Sequence, residues 1–161
     1  MCPELTKAYF FRGLSYFEIG ELDKAIADLS EVIETEYPNT IDYYGVLGTQ
    51  GDESERAYLP RGLIYRRKGE HEKAIADFSK LIEIGACELH EVYFYRGLEY
   101  AANRDDIKAI ADFSKAIDIK DTFAEAYSAR SAAYQRIGED KKSARDESAY
   151  QRLINTEKPE D

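Results

Sequence analysis

The heptapeptide AIADFSK occupies Ala109–Lys115 and recurs without change at Ala74–Lys80, and a near copy, AIADLSE, occupies Ala25–Glu31. The similarity continues upstream, where each copy follows the pattern Tyr-x-x-Arg-Gly, with a second tyrosine seven residues after the first. A weaker fourth copy lies near the end of the chain, and the first tyrosines of the four copies are Tyr9, Tyr58, Tyr93 and Tyr127. Their spacings of 49, 35 and 34 residues indicate stacked supersecondary units rather than a single closed core.

Each copy predicts two helices. Apolar residues recur at helical intervals in both halves of a copy, as at Ala109, Phe113 and Ile117 in the second half of the third copy. The two halves meet at a helix stop, which is glycine in three copies and arginine in the third: Gly20, Gly69, Arg104 and Gly138. Because the connecting loops are short, the two helices of each copy are expected to lie antiparallel.

This pattern resembles the tetratricopeptide repeat family, in the variant that reads Y-x-x-R-G-x-x-Y-x-x-x-G followed by A-I-x-D-F-x-K-A-I. The resemblance covers the chain from about Glu4 to Asn155. It implies an all-α fold, a right-handed α-solenoid of four helix-turn-helix repeats in a single domain over residues 1–161. The repeats are expected at about residues 4–35, 54–84, 88–119 and 122–155, with an insertion at about 36–55.

Two further recurrences predict how each pair of helices packs. An arginine precedes an aspartate by sixteen residues in every copy: Arg12–Asp28, Arg61–Asp77, Arg96–Asp112 and Arg130–Asp146. These arginines could form a ladder of ligand-binding groups, but an internal brace is favoured because the acid recurs in step with the base. A glycine in the middle of a helix costs about 1 kcal/mol against alanine, so its recurrence at Gly13, Gly62 and Gly97 predicts a close approach by the partner helix.

Three segments depart from the repeat. The insertion contains a glycine run, Gly45–Gly51, that lacks the lysine and the preceding strand of a phosphate-binding loop, so it is interpreted as a surface loop. Pro60 falls inside an expected helix, which should therefore begin late, around Ala57, or bend. The last helix, about Glu139 to Asn155, has the polar face of a terminal cap, and the tail beyond it should fray.

Composition limits which binding partners and which cellular locations are expected for the protein. The net charge is −10, from 32 acidic and 22 basic residues, which argues against nucleic acid binding. There is no apolar run long enough for a membrane span and no signal-peptide pattern. Two distant cysteines favour a reducing compartment. A cytoplasmic location is favoured, and a periplasmic or, through Cys2, lipid-anchored one stays open if the N-terminus was trimmed.

No residue pattern points to catalysis or to a cofactor. Cys87 and His90 have a spacing that metals sometimes use, but two residues without a second pair do not make a structural zinc site. No serine, cysteine or carboxylate pair has the context of a catalytic group. We therefore expect a protein that is not an enzyme, with no catalytic residues, no bound metal and no cofactor.

The family resemblance implies that the first helices of the repeats line a concave face that holds a partner. A carboxylate clamp is not expected, because its positions hold other residues here: Phe10, Leu14, Pro60, Glu91 and Tyr95. The face is instead an apolar groove with these expected partner-binding residues: Lys7, Phe10, Leu14, Phe17, Leu59, Leu63, Arg66, Phe94, Leu98 and Gln135.

Three occupants of this groove are weighed. A helix or extended peptide from a partner protein is favoured. A second copy of the chain, which would make the protein a self-associating assembly module, and the tyrosine-rich insertion are the alternatives. A subunit of an enzyme complex is a less favoured function, and some of these side chains could instead be core between repeats.

Overall fold

A computed structural model describes residues 3–34, 53–85 and 88–156, and within these ranges the chain is built from α-helices alone. The eight helices are α1 (Pro3–Glu18), α2 (Leu22–Glu34), α3 (Glu53–Lys68), α4 (His71–Ile84), α5 (Leu89–Ala102), α6 (Asp106–Ile119), α7 (Ala124–Arg136) and α8 (Asp140–Thr156). Consecutive helices pair as four hairpins, which we number one to four in chain order. The all-α solenoid class predicted from the repeat is confirmed.

The helices group into two compact units, residues 1–86 with α1–α4 and residues 87–161 with α5–α8. In the first unit α3 packs against α2, and in the second unit α7 packs against α6. The interpretation of the whole chain as one domain, with the repeat boundaries given above, stays a prediction. Each unit has its own buried apolar residues, which in the first are Ala25, Leu29, Val32, Ile33, Ala57 and Ile64.

The mid-helix glycines make room for large side chains of the partner helix, as predicted. A Cβ atom on Gly97 would lie 2.7 Å from a ring carbon of Phe113, and one on Gly62 would lie at the same distance from Phe78. In hairpin four the phenylalanine is replaced by an exposed glutamate, Glu147, and the glycine by Ser131. The Ser131 hydroxyl instead reaches the Ser143 carbonyl oxygen at 3.0 Å.

The turn within each hairpin contains one residue in the left-handed region. Gly20, Gly69 and Gly138 have φ angles of 82°, 72° and 79°, and Arg104 holds the same place in hairpin three with φ of 63°. A left-handed backbone costs a residue with a Cβ atom roughly 1–2 kcal/mol, a cost that glycine avoids. Hairpin three therefore contains a strained residue that the other hairpins do not have.

Arg104→Gly is expected to raise the free energy of unfolding by about 0.5–1 kcal/mol, because glycine relieves the strain but gains entropy in the unfolded chain. Urea unfolding followed by circular dichroism measures the change. Gly138→Ala, at a φ of 79°, is the matched control and should lower the same free energy. A loss of stability in Arg104→Gly would show that the arginine side chain makes contacts worth more than the strain.

The expected late start of the second repeat's first helix is wrong, whereas the alternative of a bend stays a prediction, and other expectations lie outside the described residues. Helix α3 begins at Glu53 and not around Ala57, and it contains Pro60 in its interior. The helix continues through the proline because Ala57 and Ile64, on either side of it, are both fully buried in the first unit. Most of the insertion, the Gly45–Gly51 run, Cys87 and the tail after residue 156 lie outside the described residues.

Candidate partner-binding surface

The predicted arginine–aspartate brace is present in all four hairpins. In hairpin three, Nε of Arg96 donates to Oδ2 of Asp112 at 2.7 Å, and Nη2 donates to Oδ1 at 2.8 Å. The same two-pronged pairing joins Arg12 to Asp28, Arg61 to Asp77 and Arg130 to Asp146. Charge-assisted pairs of this geometry are strong and directional. The arginines therefore brace the two helices of each hairpin, as expected.

Two tyrosine rings flank the brace arginine in hairpins two, three and four. The guanidinium carbon of Arg96 lies 5.6 Å from the ring centre of Tyr93 and 5.7 Å from that of Tyr100. Nζ of Lys108 lies 5.3 Å from the ring centre of Tyr100. A cation over a tyrosine face is attracted by the ring electrons. The paired tyrosines of the repeat thus hold the arginine in place, which accounts for their recurrence.

Burial and pairing shift the pKa values of the brace groups. Hydrogen bonding to Asp112 raises the pKa of Arg96, and hydrogen bonding to Asp146 raises the pKa of Arg130, each against the opposing effect of burial. Burial raises the pKa of the Asp77 carboxyl above its ordinary value, and the bonds from Arg61 only partly offset it. These groups are engaged inside the hairpins, so they are poor candidates for contacting a ligand.

A second bond links the brace to the hairpin before it. Nη1 of Arg61 donates to the Ser30 hydroxyl at 2.9 Å, and Nη1 of Arg130 donates to the Ser114 hydroxyl at 2.9 Å. Sequence reasoning missed these serines. The signal was available, because the second residue after the brace aspartate is a serine in every copy. The four copies read Asp-Leu-Ser, Asp-Phe-Ser, Asp-Phe-Ser and Asp-Glu-Ser.

The expected groove residues of the first unit lie on α1 and α3. Phe10 and Phe17 are half-buried and pack against the core of this unit, Leu14, Leu59 and Leu63 are half-buried, and Lys7 and Arg66 are exposed. Phe17, Leu63, Arg66 and Arg67 together line an open depression of about 450 Å³. Arg67 was not among the expected residues, although its spacing of four from Leu63 places both on one side of α3.

Two of the expected groove residues in the second unit, Phe94 and Leu98, take part in packing its core. The ring centre of Phe94 lies 5.0 Å from that of Phe123 and 5.9 Å from that of Phe113. Phe94 and Leu98 both pack against buried residues of α6 and α7, whereas Gln135 is exposed. That these residues share one groove with those of the first unit stays a prediction.

The depression of the first unit has a basic edge. The last turn of α3 consists of Arg66, Arg67 and Lys68. Nζ of Lys68 forms ion pairs with Asp23 at 2.6 Å and with Glu70 at 2.9 Å. Hydrogen bonding to these two carboxylates raises the pKa of Lys68. Arg66 and Arg67 both line the depression itself.

Two further properties can be stated for the described ranges. In residues 3–34, 53–85 and 88–156, no group of three or more His, Cys, Asp or Glu side chains is placed to hold a metal ion. Every helix in the same ranges is too short or too polar to span a lipid bilayer.

Comparison with known proteins gives the family of the first unit and the fold of the chain. Residues 6–37 and 55–84 match a family model described as tetratricopeptide repeat, while a search of curated proteins finds no match. A crystal structure of MamA is similar, with a TM-score of 0.79 and 20% identity over 94% of this chain and 79% of that chain. MamA 41-end from Desulfovibrio magneticus RS-1 is similar with a TM-score of 0.79 and 14% identity, over 96% of this chain and 78% of that chain. A tetratricopeptide repeat protein from Parabacteroides merdae ATCC 43184 is similar with a TM-score of 0.79 and 15% identity, over 96% of this chain and 55% of that chain.

At these identities the solved structures show the fold alone. The family assignment comes from the two matched repeats in hairpins one and two. Hairpins three and four carry the same arginine–aspartate brace. The first unit is therefore assigned to the tetratricopeptide-repeat family.

Proposed function

We propose that the protein is a non-catalytic interaction scaffold whose first unit binds an amphipathic helix or extended peptide from a partner protein. The observation that carries the proposal is the depression in which Phe17 and Leu63 lie beside Arg66 and Arg67. Repeat proteins of this kind use surfaces formed by successive repeats to bind other proteins. The proposed surface of the first unit also includes Lys7, Phe10, Leu14 and Leu59, and in the second unit we propose Phe94, Leu98 and Gln135 as partner-binding residues.

The chemistry of the depression defines the partner segment. Phe17 and Leu63 offer an apolar contact for one leucine, isoleucine or aromatic anchor, and such anchors recur at helical spacing in peptides that bind grooves. Arg66 and Arg67 favour an acidic residue next to that anchor, because arginine pairs well with carboxylates. The net charge of −10 disfavours nucleic acid, so the proposed partner is a protein.

Leu63→Ser is expected to weaken binding of such a peptide by about tenfold to a hundredfold, because burying a leucine contributes about 1.5–3 kcal/mol. The probe is a peptide selected on the native protein from a random library, and fluorescence anisotropy measures its affinity. Ile119→Ser, at a residue that is 50% exposed in the other unit, is the matched control and should leave binding unchanged.

A charge variant tests the basic edge separately. Arg66→Glu with Arg67→Glu should abolish the preference for acidic peptides, whereas Arg145→Glu, at an exposed position on α8, should not. Retained helix content by circular dichroism confirms that each variant is folded. Equal binding of the selected peptides by the native protein and by both depression variants would place the binding surface elsewhere.

Self-association is the alternative use of the protein's apolar surface. The described residues include six large apolar side chains that are more than a third exposed: Leu5, Phe11, Ile19, Ile107, Ile119 and Ile137. Exposed apolar surface favours association. Sedimentation velocity over a range of protein concentrations tests this alternative, and a species that stays monomeric at all of them would exclude it.

A further inference from the structure

Helix α1 leaves exposed two positions, Ala8 and Ser15, whose equivalents on α3 and α7 are fully buried. Leu5, Phe11 and Ile19 are 43%, 63% and 71% exposed, and Arg12 lies on the same side of the helix. Ala8 and Ser15, which complete this side, are also exposed. We call the set formed by Leu5, Ala8, Phe11, Arg12, Ser15, Glu18 and Ile19 the α1 end face.

The repeat shows what covers this face elsewhere. Ala8 and Ser15 correspond to Ala57 and Ile64 on α3, which are fully buried against Leu29 and neighbouring residues of α2. On α7 they correspond to Ala126 and Ala133, which are fully buried against α6. In both places the covering element is the second helix of the preceding hairpin.

On α3 and α7 the same contact includes an arginine–serine hydrogen bond that α1 does not make within the described residues. Nη1 of Arg61 and Nη1 of Arg130 each donate to a serine on the covering helix. Within the parts of the chain that the structure describes, Nη1 of Arg12 has no such acceptor. The side chain of Arg12 is 55% exposed, against 15% for Arg61 and 17% for Arg130.

We infer that the α1 end face binds, in trans, the second helix of a hairpin from a partner protein. The covering helices of this chain, α2 and α6, define its chemistry: an isoleucine, a serine four residues later and an isoleucine three residues after that. These are Ile26, Ser30 and Ile33 on α2, and Ile110, Ser114 and Ile117 on α6. The serine accepts a hydrogen bond from Nη1 of Arg12, and the two isoleucines pack beside Phe11 and Leu5.

Charge distinguishes the partner helix from the helices of this chain. The covering helices each carry an acid that meets a base, with Lys68 bound to Asp23 and Arg136 bound to Asp106. Glu18 and Ile19 occupy the corresponding places on α1. The partner helix therefore carries a basic residue seven or eight positions before its serine, where it meets Glu18.

The last hairpin of a second copy fits this face poorly. Helix α8 retains the serine, Ser148, but has Ala144 and Gln151 where the covering helices have isoleucine. Asp140, which corresponds to Asp106, would face Glu18 with like charge. Head-to-tail stacking of the chain on itself therefore loses both the apolar contact and the ion pair, and a different protein is the proposed occupant.

This surface is separate from the depression proposed as the main binding site. Phe17 and Leu63, which line that depression, are not part of the α1 end face. Leu63→Ser should therefore leave binding at the α1 end face unchanged. The two proposals can accordingly fail independently.

The test uses a fluorescent peptide copy of residues 105–120, made helical by a hydrocarbon staple between positions 108 and 112, which lie away from Ile110 and Ser114. A second version of the peptide carries Asp106→Lys. Circular dichroism confirms that both are helical, and fluorescence anisotropy measures their binding to the intact protein. We expect saturable binding, with the Asp106→Lys peptide several-fold tighter because it meets Glu18.

Phe11→Glu in the protein is expected to weaken both peptides by about tenfold or more, because it removes the main apolar contact and adds a charge. Ile107→Glu is the matched control, since Ile107 is 68% exposed and lies on another helix. Ser114→Ala in the peptide should weaken binding several-fold.

Three results would overturn the inference. The first is an absence of binding by either helical peptide, and the second is equal affinity of the native protein and Phe11→Glu. The third is concentration-dependent dimerisation of the native chain that Phe11→Glu abolishes, which would make a second copy the occupant.

Discussion

Asp112→Ala is expected to lower the free energy of unfolding by about 3–5 kcal/mol, because it leaves the guanidinium of Arg96 buried without its counter-charge. The Asp112 side chain is 7% exposed and that of Arg96 is 18% exposed, so water cannot replace the lost carboxylate oxygens. Alanine also removes both acceptors of the two-pronged bond. Urea unfolding followed by circular dichroism gives the free energy.

The first hairpin supplies the control for this prediction. Asp28→Ala removes the same carboxylate, but Arg12 is 55% exposed and water can solvate it, so the loss should be clearly smaller. Replacing both members of the buried pair, with Arg96→Met and Asp112→Leu, should recover most of the lost stability because no unpaired charge remains. Equal losses for Asp112→Ala and Asp28→Ala would contradict the assignment of the effect to burial.

Phe113→Ala is expected to lower the free energy of unfolding by about 3–5 kcal/mol, which is typical of a large apolar side chain deleted from a core. Phe113 is fully buried, and its ring lies over Gly97, where even a Cβ atom would come within 2.7 Å. The cavity left by the ring would be bordered by a residue that has no side chain to fill it. Thermal and urea unfolding measure the loss.

Phe11→Ala is the matched control for Phe113→Ala. The same side chain is deleted, but Phe11 is 63% exposed, so the change should stay within about 0.5 kcal/mol. A loss above about 2 kcal/mol in Phe11→Ala would show that the α1 end face is already covered in the free protein, and it would count against the trans-binding inference.

The sequence predicts the fold well because its signals are local and repeated. Arg96 and Asp112 stand sixteen residues apart in every copy, and the glycine at Gly97 recurs opposite the residue that follows the aspartate. A recurring pair of positions can be interpreted as a contact without knowledge of the rest of the structure. The brace, the close approach of the helices and the helix stops are all confirmed for this reason.

The sequence predicts less where tertiary packing overrides a local preference. Pro60 disfavours helix locally, but α3 extends back to Glu53 because its flanking residues are buried. The groove is harder still, since the family resemblance gives Phe17 and Phe94 the same expected role although they hold different positions of the repeat. Only the structure shows that Phe94 contacts the rings of Phe113 and Phe123, while Phe17 borders an open depression.

The brace also bears on the order in which the chain folds. Each arginine meets an aspartate only sixteen residues later, so the bond closes a short loop inside one hairpin. Proteins dominated by such near-neighbour contacts fold fast, because little loop entropy is lost before contacts form. During synthesis, the first hairpin can join Arg12 to Asp28 before the ribosome has translated Arg96. Within each unit, the second hairpin can then fold against the second helix of the first.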